Sequence, residues 1–198
     1  MRRFALALAV LGAAAGGCGG GGVPGEALND PVTERLIMNP LPAPAPWQKV
    51  GDRHTRTDSL SVWVPPGQDL KGARDLLTLR VETGRPKIAA TEFAAELVEA
   101  AAKDCPGARI GKPKPATEDG NDVAYAEASC TSPQQSLVLV KVIRGHEALY
   151  AVERELRGAP DAAAVRAADA YLAKDVYLCP VSGGIGRCAN LPPRDLFE

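Results

Sequence analysis

Two neighbouring segments, SLVLVKVIR at residues 136–144 and ALYAVEREL at residues 148–156, decide the predicted fold. The first segment is apolar at both odd and even positions, which is typical of a strand that is covered on both faces of its sheet. The second carries Glu and Arg between apolar residues, so we expect one of its faces to reach solvent. Because only the turn Arg144-Gly145-His146 separates them, the sequence predicts a β-hairpin at the centre of the sheet.

Further strands and two helices surround this hairpin in the prediction. Four other segments have alternating or short apolar patterns that predict strands: Trp47 to Val50, Leu60 to Val64, Leu77 to Val81 and Val123 to Ser129. Two segments have helical periodicity, one with Thr91 as the expected N-cap and one capped by Asp161. The predicted fold is an α+β domain, a mainly antiparallel sheet of about six strands with two helices packed on it, held together by disulfide bonds.

The composition divides the chain into four parts. Residues 1–17 are predicted to be a signal peptide, 18–46 a lipid anchor with a Gly/Pro-rich tether, 47–180 the globular domain, and 181–198 an irregular C-terminal tail. The tether prediction depends on the glycines after Cys18 and on prolines that alternate with other residues, which favour an extended spacer. Val32 to Met38 is compatible with a short helix or with a docked strand.

The first 18 residues have the order of an export signal. A cationic start, MRR, precedes an apolar stretch at residues 4–15, and two glycines precede Cys18. A membrane-spanning helix needs about 20 apolar residues, so this shorter stretch is interpreted as cleavable. The order resembles the signal of bacterial lipoproteins, which are cut before a cysteine that is then acylated, with palmitate among its acyl chains.

The lipoprotein resemblance implies lipidation at Cys18 and a place in the cell envelope. The family usually has Leu three residues before the cysteine, where this chain has Ala15. Ala13 and Ala15 also form an A-x-A pattern, which is compatible with ordinary signal-peptidase cleavage and simple secretion. Gly19 stands where an Asp would favour the inner membrane in this family, so the resemblance implies the outer membrane, facing the periplasm.

The five cysteines predict two disulfide bonds and one lipidated residue. Acylation of Cys18 leaves an even set of four: Cys105, Cys130, Cys179 and Cys188. Three pairings are possible, and we favour Cys105–Cys130 with Cys179–Cys188. A zinc site is the alternative, but no two cysteines have the short C-x₂-C spacing, and exported proteins use cysteines for disulfides. We therefore predict no metal and no cofactor.

Motifs for catalysis are absent from the sequence, so no catalytic residue is predicted. There is no G-x-S-x-G and no H-E-x-x-H. His54 and His146 fall in predicted turns, and clustering of either with acidic residues would favour an enzyme. Trp47 and Trp63 form a possible binding face. Trp63 alternates against apolar neighbours, so it either packs beneath a helix or lies on an open face.

The charge and the element order complete the prediction. Without residues 1–17 the chain has 21 basic and 24 acidic residues, which excludes the basic face of a nucleic-acid-binding protein. The element order over residues 47–178 resembles PsbP-like domains of some bacterial lipoproteins, which implies a fold and no functional residue. We predict a lipid-anchored envelope protein, not an enzyme, that contacts another envelope component. The alternatives are a small-ligand or lipid binding module with a pocket between sheet and helices, and an enzyme with an unrecognised site.

Overall fold

The computed structural model describes residues 34–41, 46–85, 87–132, 134–180 and 188–189, and Cys18 lies outside them. Ten strands and two helices are found in these described ranges. In chain order they are β1 (Glu34–Met38), β2 (Gln48–His54), β3 (Asp58–Val64), β4 (Asp75–Glu82), α1 (Ala90–Ala102), β5 (Arg109–Ile110), β6 (Lys114–Glu118), β7 (Asn121–Cys130), β8 (Ser136–Arg144), β9 (Leu149–Arg157), α2 (Ala162–Lys174) and β10 (Val176–Pro180).

Eight of these strands form one antiparallel sheet. Its order is β2-β3-β4-β9-β8-β7-β5, and β6 also pairs with β7. The predicted hairpin lies inside the sheet as β8 and β9, and the α+β class with a mainly antiparallel sheet is confirmed. The sheet has more strands than the predicted six because β5 has only two residues and β6 has only five, most of them exposed, so neither shows the apolar alternation of a half-buried strand.

The two helices cover opposite faces of this sheet. On one face, Phe93, Leu97 and Val98 of α1 pack against alternate residues of β7, β8 and β9. Four of those residues are small: Ala124, Ala126 and Ala128 of β7 and Ala151 of β9. Small side chains let a helix lie close to the strands while the larger residues of β8 fill the remaining space. This face therefore has a compact core of its own.

The other face is covered by α2 together with β1 and β10. Ala168, Tyr171 and Leu172 of α2 pack against the alternate set of sheet residues, which includes Leu139 and Val152. β8 contributes apolar residues to both clusters, which agrees with its prediction as a doubly covered strand.

The sequence predicts the N-cap of α2 correctly but not the N-cap of α1. Asp161 is the N-cap of α2, and its side chain accepts a hydrogen bond from the Ala164 N–H at 2.7 Å. The prediction of Thr91 as the cap of α1 is wrong, because the helix already begins at Ala90 and Ala89 makes no side-chain cap. Instead, the Ala90 N–H donates to Asp122 on β7 at 3.2 Å.

The segment predicted as a tether contains a folded strand. β1 lies within Val32 to Met38 and pairs antiparallel with β10 over five register positions, which decides between helix and strand. Ile37 is buried there, in a small cluster with the Cys179–Cys188 pair. The folded part thus begins before Trp47, the predicted boundary, because β1 finds its partner in a strand far away in the sequence.

Candidate partner-binding surface

The four cysteines of the described residues form two disulfide bonds. Cys105, just after α1, is bonded to Cys130 at the end of β7, with 5.8 Å between the Cα atoms. Cys179 on β10 is bonded to Cys188, with 5.6 Å between the Cα atoms. This is the connectivity that the sequence analysis favoured, and it uses every cysteine of the chain except Cys18.

Trp47 and Trp63 lie on the face of the sheet that α2 covers. Both are half-buried against the edge of the α2-side core. Trp63 pairs across strands with Leu77, and Leu77 pairs with Arg154 on β9. The Arg154 guanidinium lies 5.2 Å from the centroid of the Trp47 ring. The structure thus brings the two tryptophans to the same side of the sheet, each partly packed and partly exposed.

The Arg154 guanidinium beside Trp47 is itself held in place by an ion pair with Asp75. Its Nε and Nη2 donate to the two carboxylate oxygens of Asp75 at 3.0 and 2.5 Å, a bidentate pair with strong geometric preference. The Tyr171 ring lies on the guanidinium at 5.5 Å. Burial raises the pKa of Tyr171 to about 12, so its hydroxyl stays protonated and donates to the Asn39 carbonyl at 3.0 Å.

A polar cluster around Asp52 continues the surface along β2. The Ser61 hydroxyl donates to Asp52 Oδ1 at 2.7 Å, His54 Nε2 lies 3.1 Å from the same oxygen, and Lys49 Nζ lies 3.2 Å from Oδ2. The hydrogen bond from Ser61, followed by those from His54 and Lys49, lowers the pKa of Asp52 to about 2. The carboxylate is therefore ionised at neutral pH and would be a weak proton acceptor.

This cluster meets one condition for an enzyme and fails another. His54 does lie next to an acidic residue, as an enzyme would require. Ser61, however, donates its hydrogen bond to Asp52 and not to His54, so the hydroxyl lacks the base that would activate it as a nucleophile. In the parts of the chain that the structure describes, no group of three or more His, Cys, Asp or Glu residues could hold a metal ion.

Five residues form what we call the tryptophan surface. Trp47 lies just before β2, Lys49, Asp52 and His54 lie on β2, and Trp63 lies on β3. Six of the seven residues of β2 are exposed, and β2 is an edge strand of the sheet among the described residues. An edge strand presents unpaired backbone N–H and C=O groups to a partner, and aromatic residues are enriched in protein–protein interfaces. The surface can therefore offer both kinds of contact to another protein.

Lys141 was not among the predicted site residues, yet it is the most deeply buried charged side chain among the described residues. Its side chain is 0% exposed, and its ammonium donates to the carbonyls of Leu172 at 3.0 Å and Val176 at 2.7 Å. Glu118 Oε2 lies 2.7 Å away. A single lysine inside an apolar strand was the available signal, because a buried charge requires partners.

Glu34 was missed for a different reason. Its carboxylate accepts hydrogen bonds from the backbone N–H groups of His146 at 2.6 Å and Glu147 at 3.1 Å, and from the Tyr150 hydroxyl at 3.3 Å. A Cβ atom at Gly145 would overlap this carboxylate. The β8–β9 turn is thus built around a side chain from β1, more than 100 positions earlier, and no local pattern could reveal that.

Sixteen solved chains are similar to this chain in fold, among them the two that follow. The crystal structure of LpqN, involved in cell envelope biogenesis of Mycobacterium tuberculosis, has a TM-score of 0.45 and 18% sequence identity, over 76% of this chain and 87% of that chain. The solution structure of cyanobacterial PsbP (CyanoP) from Synechocystis sp. PCC 6803 has a TM-score of 0.45 and 16% identity, over 83% and 98%.

Neither similarity bears on function at these values. The second structure is a PsbP protein, the class whose element order the sequence resembles. No protein-family model matches this chain, and no curated protein does.

Proposed function

We propose that this protein is exported, anchored to a bacterial membrane through acylated Cys18, and acts without catalysis by binding another component of the cell envelope. The observation that carries the proposal is the cysteine pairing. Four cysteines are bonded in two pairs, and the fifth ends the export-like signal. Cys18 thus has no partner cysteine within the chain, and lipidation accounts for it.

The disulfides also support export. Such bonds form and persist in oxidising compartments and are rare in the cytosol. Several acyl chains on one residue would hold the protein firmly on a bilayer, whereas one chain binds only marginally. In the described ranges no helix has the length and apolar character needed to cross a membrane. The proposed outer-membrane position, facing the periplasm, follows from the family resemblance at Gly19.

The tryptophan surface supports a protein partner. It combines half-buried aromatic rings, exposed charges and the free edge of β2. Val50, an apolar residue at the β-bulge between Lys49 and Gly51 of this strand, is 38% exposed. A partner strand that paired with β2 would cover it, as in β-strand addition.

The small-ligand alternative has less support. It requires a pocket between the sheet and the helices. In that space, apolar residues of the sheet and of the helices pack against one another in two clusters. Two clefts among the described residues lie instead at opposite ends of the sheet, one beside Arg74 and Arg157 and one beside Asp122 and Arg144.

The anchoring is tested by metabolic labelling with a palmitate analogue. We expect the full-length protein to be labelled and to fractionate with membranes, and Cys18→Ala to lose both properties. Labelling that persists in the variant, or a wild-type protein recovered in the soluble fraction, would overturn the anchor.

The partner is tested by in-cell crosslinking followed by mass spectrometry. Val50→Asp on β2 should lose the crosslinked envelope protein. Ile110→Asp is the matched control, because Ile110 is 48% exposed on the opposite edge strand. Equal recovery with both variants, or no defined partner with the wild type, would contradict the proposed surface.

A further inference from the structure

The two disulfide bonds of the described residues differ in how deeply they are buried. Cys179 is 0% exposed and Cys188 is 5% exposed, and both pack with Ile37 in a small apolar cluster. Cys105 and Cys130 are both partly exposed, and most residues around them in the chain are exposed. A dissolved reagent therefore reaches the Cys105–Cys130 bond much more easily than the Cys179–Cys188 bond.

Access to the sulfur atoms decides whether a disulfide is reduced while the protein stays folded. In thiol–disulfide exchange, a thiolate attacks one Sγ and displaces the other as a thiolate, which leaves a mixed disulfide. The second thiol of a dithiol then breaks the mixed disulfide, so two electrons and two protons pass to the cysteines and the dithiol becomes a disulfide. Cys105–Cys130 is open to this attack, whereas Cys179–Cys188 requires the fold to open first.

The exposed bond lies beside β5, a strand with few contacts of its own. β5 comprises only Arg109 and Ile110, and both are exposed. It pairs with β7 at two register positions, and the Gly111 N–H adds a hydrogen bond to the Glu127 carbonyl at 2.8 Å. These contacts offer little to offset the conformational entropy of the connection. The disulfide joins the chain just before β5 to the end of β7, so it keeps β5 at the edge of the sheet.

The neighbouring helix does not depend on this bond. Phe93, Leu97 and Val98 of α1 are buried against the sheet, and they hold the helix whether or not the disulfide is present. The Ser132 carbonyl oxygen lies 3.6 Å from Cys105 Sγ and 3.3 Å from Cys130 Sγ, so a hydrogen-bond acceptor is within reach of either new thiol. Reduction should therefore change the edge of the sheet and leave its core intact.

We propose that Cys105–Cys130 is a site of thiol–disulfide exchange, reduced by a dithiol while the domain stays folded, and that its reduction releases β5 from β7. The release uncovers the backbone groups of β7 at residues 127–129, which then form a free sheet edge that another strand can pair with. Cys179–Cys188 stays oxidised under the same conditions as the structural bond. The site concerns the folded domain alone and depends neither on the anchor nor on the tryptophan surface.

The first test measures which cysteines a dithiol reduces in the folded full chain. Free thiols are blocked with N-ethylmaleimide, dithiothreitol is added, and new thiols are labelled with iodoacetamide at timed intervals and located by peptide mass spectrometry. Cys105 and Cys130 should be labelled at least about tenfold faster than Cys179 and Cys188, because access controls the rate. In guanidinium chloride, the difference between the two pairs should fall below about threefold.

Three outcomes of this test would overturn the site. The first is equal labelling of both pairs in the folded chain, and the second is no labelling of Cys105 and Cys130 there. The third is a tenfold difference that persists in the denaturant, because burial would then not be its cause. The blocking step removes any free Cys18 thiol from the measurement, so failure of the anchor and failure of this site are distinguishable.

The second test measures the release of β5 by amide hydrogen exchange. In the oxidised chain, the Gly111 amide should exchange at least about tenfold more slowly than in the chain reduced and alkylated at Cys105 and Cys130, where its rate should come within about tenfold of an unstructured amide. The amides of β8 should remain at least about tenfold more protected than that of Gly111 in the reduced chain. Cys105→Ser/Cys130→Ser should reproduce the reduced state without the added alkyl groups, and the oxidised chain treated with iodoacetamide alone is the control.

The release of β5 is overturned by protection of Gly111 that is unchanged by reduction, since other contacts would then hold the strand. Loss of protection at Gly111 and in β8 together would also overturn it, because the bond would then support the whole fold and not its edge alone.

Discussion

Replacement of Lys141 by methionine tests whether the buried Lys141 ammonium, which donates to carbonyls of α2 and β10, helps to hold these two elements on the sheet. Methionine has a similar length and no charge, so Lys141→Met keeps the volume and removes only the donor. The carbonyls of Leu172 and Val176 would lose the 3.0 and 2.7 Å hydrogen bonds that they accept. The Leu172 carbonyl is in the last turn of α2, where a positive charge is favourable for the helix dipole.

The magnitude follows from the partners that remain. Removing one member of a buried ion pair costs about 3–5 kcal/mol, and each orphaned carbonyl about 1–3 kcal/mol. These figures overlap and are not additive. Glu118 is 21% exposed and also accepts a hydrogen bond from the Tyr125 hydroxyl. Water can therefore solvate its carboxylate after Lys141 is removed, so the cost lies at the low end of the range for a broken buried ion pair. We expect a loss of about 3 kcal/mol in the free energy of unfolding, or roughly 10 °C in Tm for a domain of this size.

Urea denaturation, followed by the fluorescence of Trp47 and Trp63, measures this loss. Lys174→Met is the matched control, because Lys174 lies in the same last turn but is exposed, and it should change the free energy by less than about 0.5 kcal/mol. A Lys141→Met protein within about 1 kcal/mol of the wild type would refute the reasoning, since the carbonyls would then have found water or other donors.

Three further predictions concern pH and the disulfides. The Asp52 pKa is about 2 in the folded state, below its usual 3.8. The ionised carboxylate therefore stabilises the fold above about pH 4, and this contribution is lost as the pH falls toward 2. In thermal melts, the Tm of Asp52→Asn should fall less between pH 4 and pH 2 than the Tm of the wild type. Burial raises the pKa of Glu153, so keeping this carboxylate ionised at neutral pH lowers the stability of the fold. Glu153→Gln should therefore raise the Tm more at pH 7.5 than at pH 4. An equal rise at both pH values would contradict this. Cys105→Ser/Cys130→Ser opens a link across 25 positions and should lower the free energy of unfolding in urea by about 3 kcal/mol; an unchanged midpoint would show that the bond does not constrain the unfolded chain.

Local sequence patterns were sufficient where a residue's environment is set by its near neighbours. The apolar pattern of residues 136–144 placed β8 inside the sheet, and Asp161 before an alanine-rich segment was enough to place the start of α2. Cysteine parity favoured the observed disulfides because four cysteines have few pairings. These features depend on periodicity, capping and counting, which a single sequence contains.

Features that depend on distant partners were not accessible. β1 pairs with β10 across more than 130 positions, so its five residues alone could not distinguish strand from helix. The cap of α1 comes from Asp122, 32 positions later, which explains why Thr91 was the wrong choice. At the candidate site, alternation gave the face of Trp63, but the contact of Trp47 with Arg154 depends on tertiary packing.

The docking of β1 has a mechanical consequence. If the chain is held at Cys18, as proposed above, a pull on that anchor would act on the described part of the fold through β1, which begins at Glu34. Ladder hydrogen bonds lie perpendicular to their strands, so a pull directed along β1 would load all five β1–β10 register pairs together in shear, not one after another as in unzipping. Slippage of β1 would also withdraw the Glu34 carboxylate from the β8–β9 turn. A load on the N-terminal segment would therefore be transmitted through Glu34 to the β8–β9 turn of the large sheet.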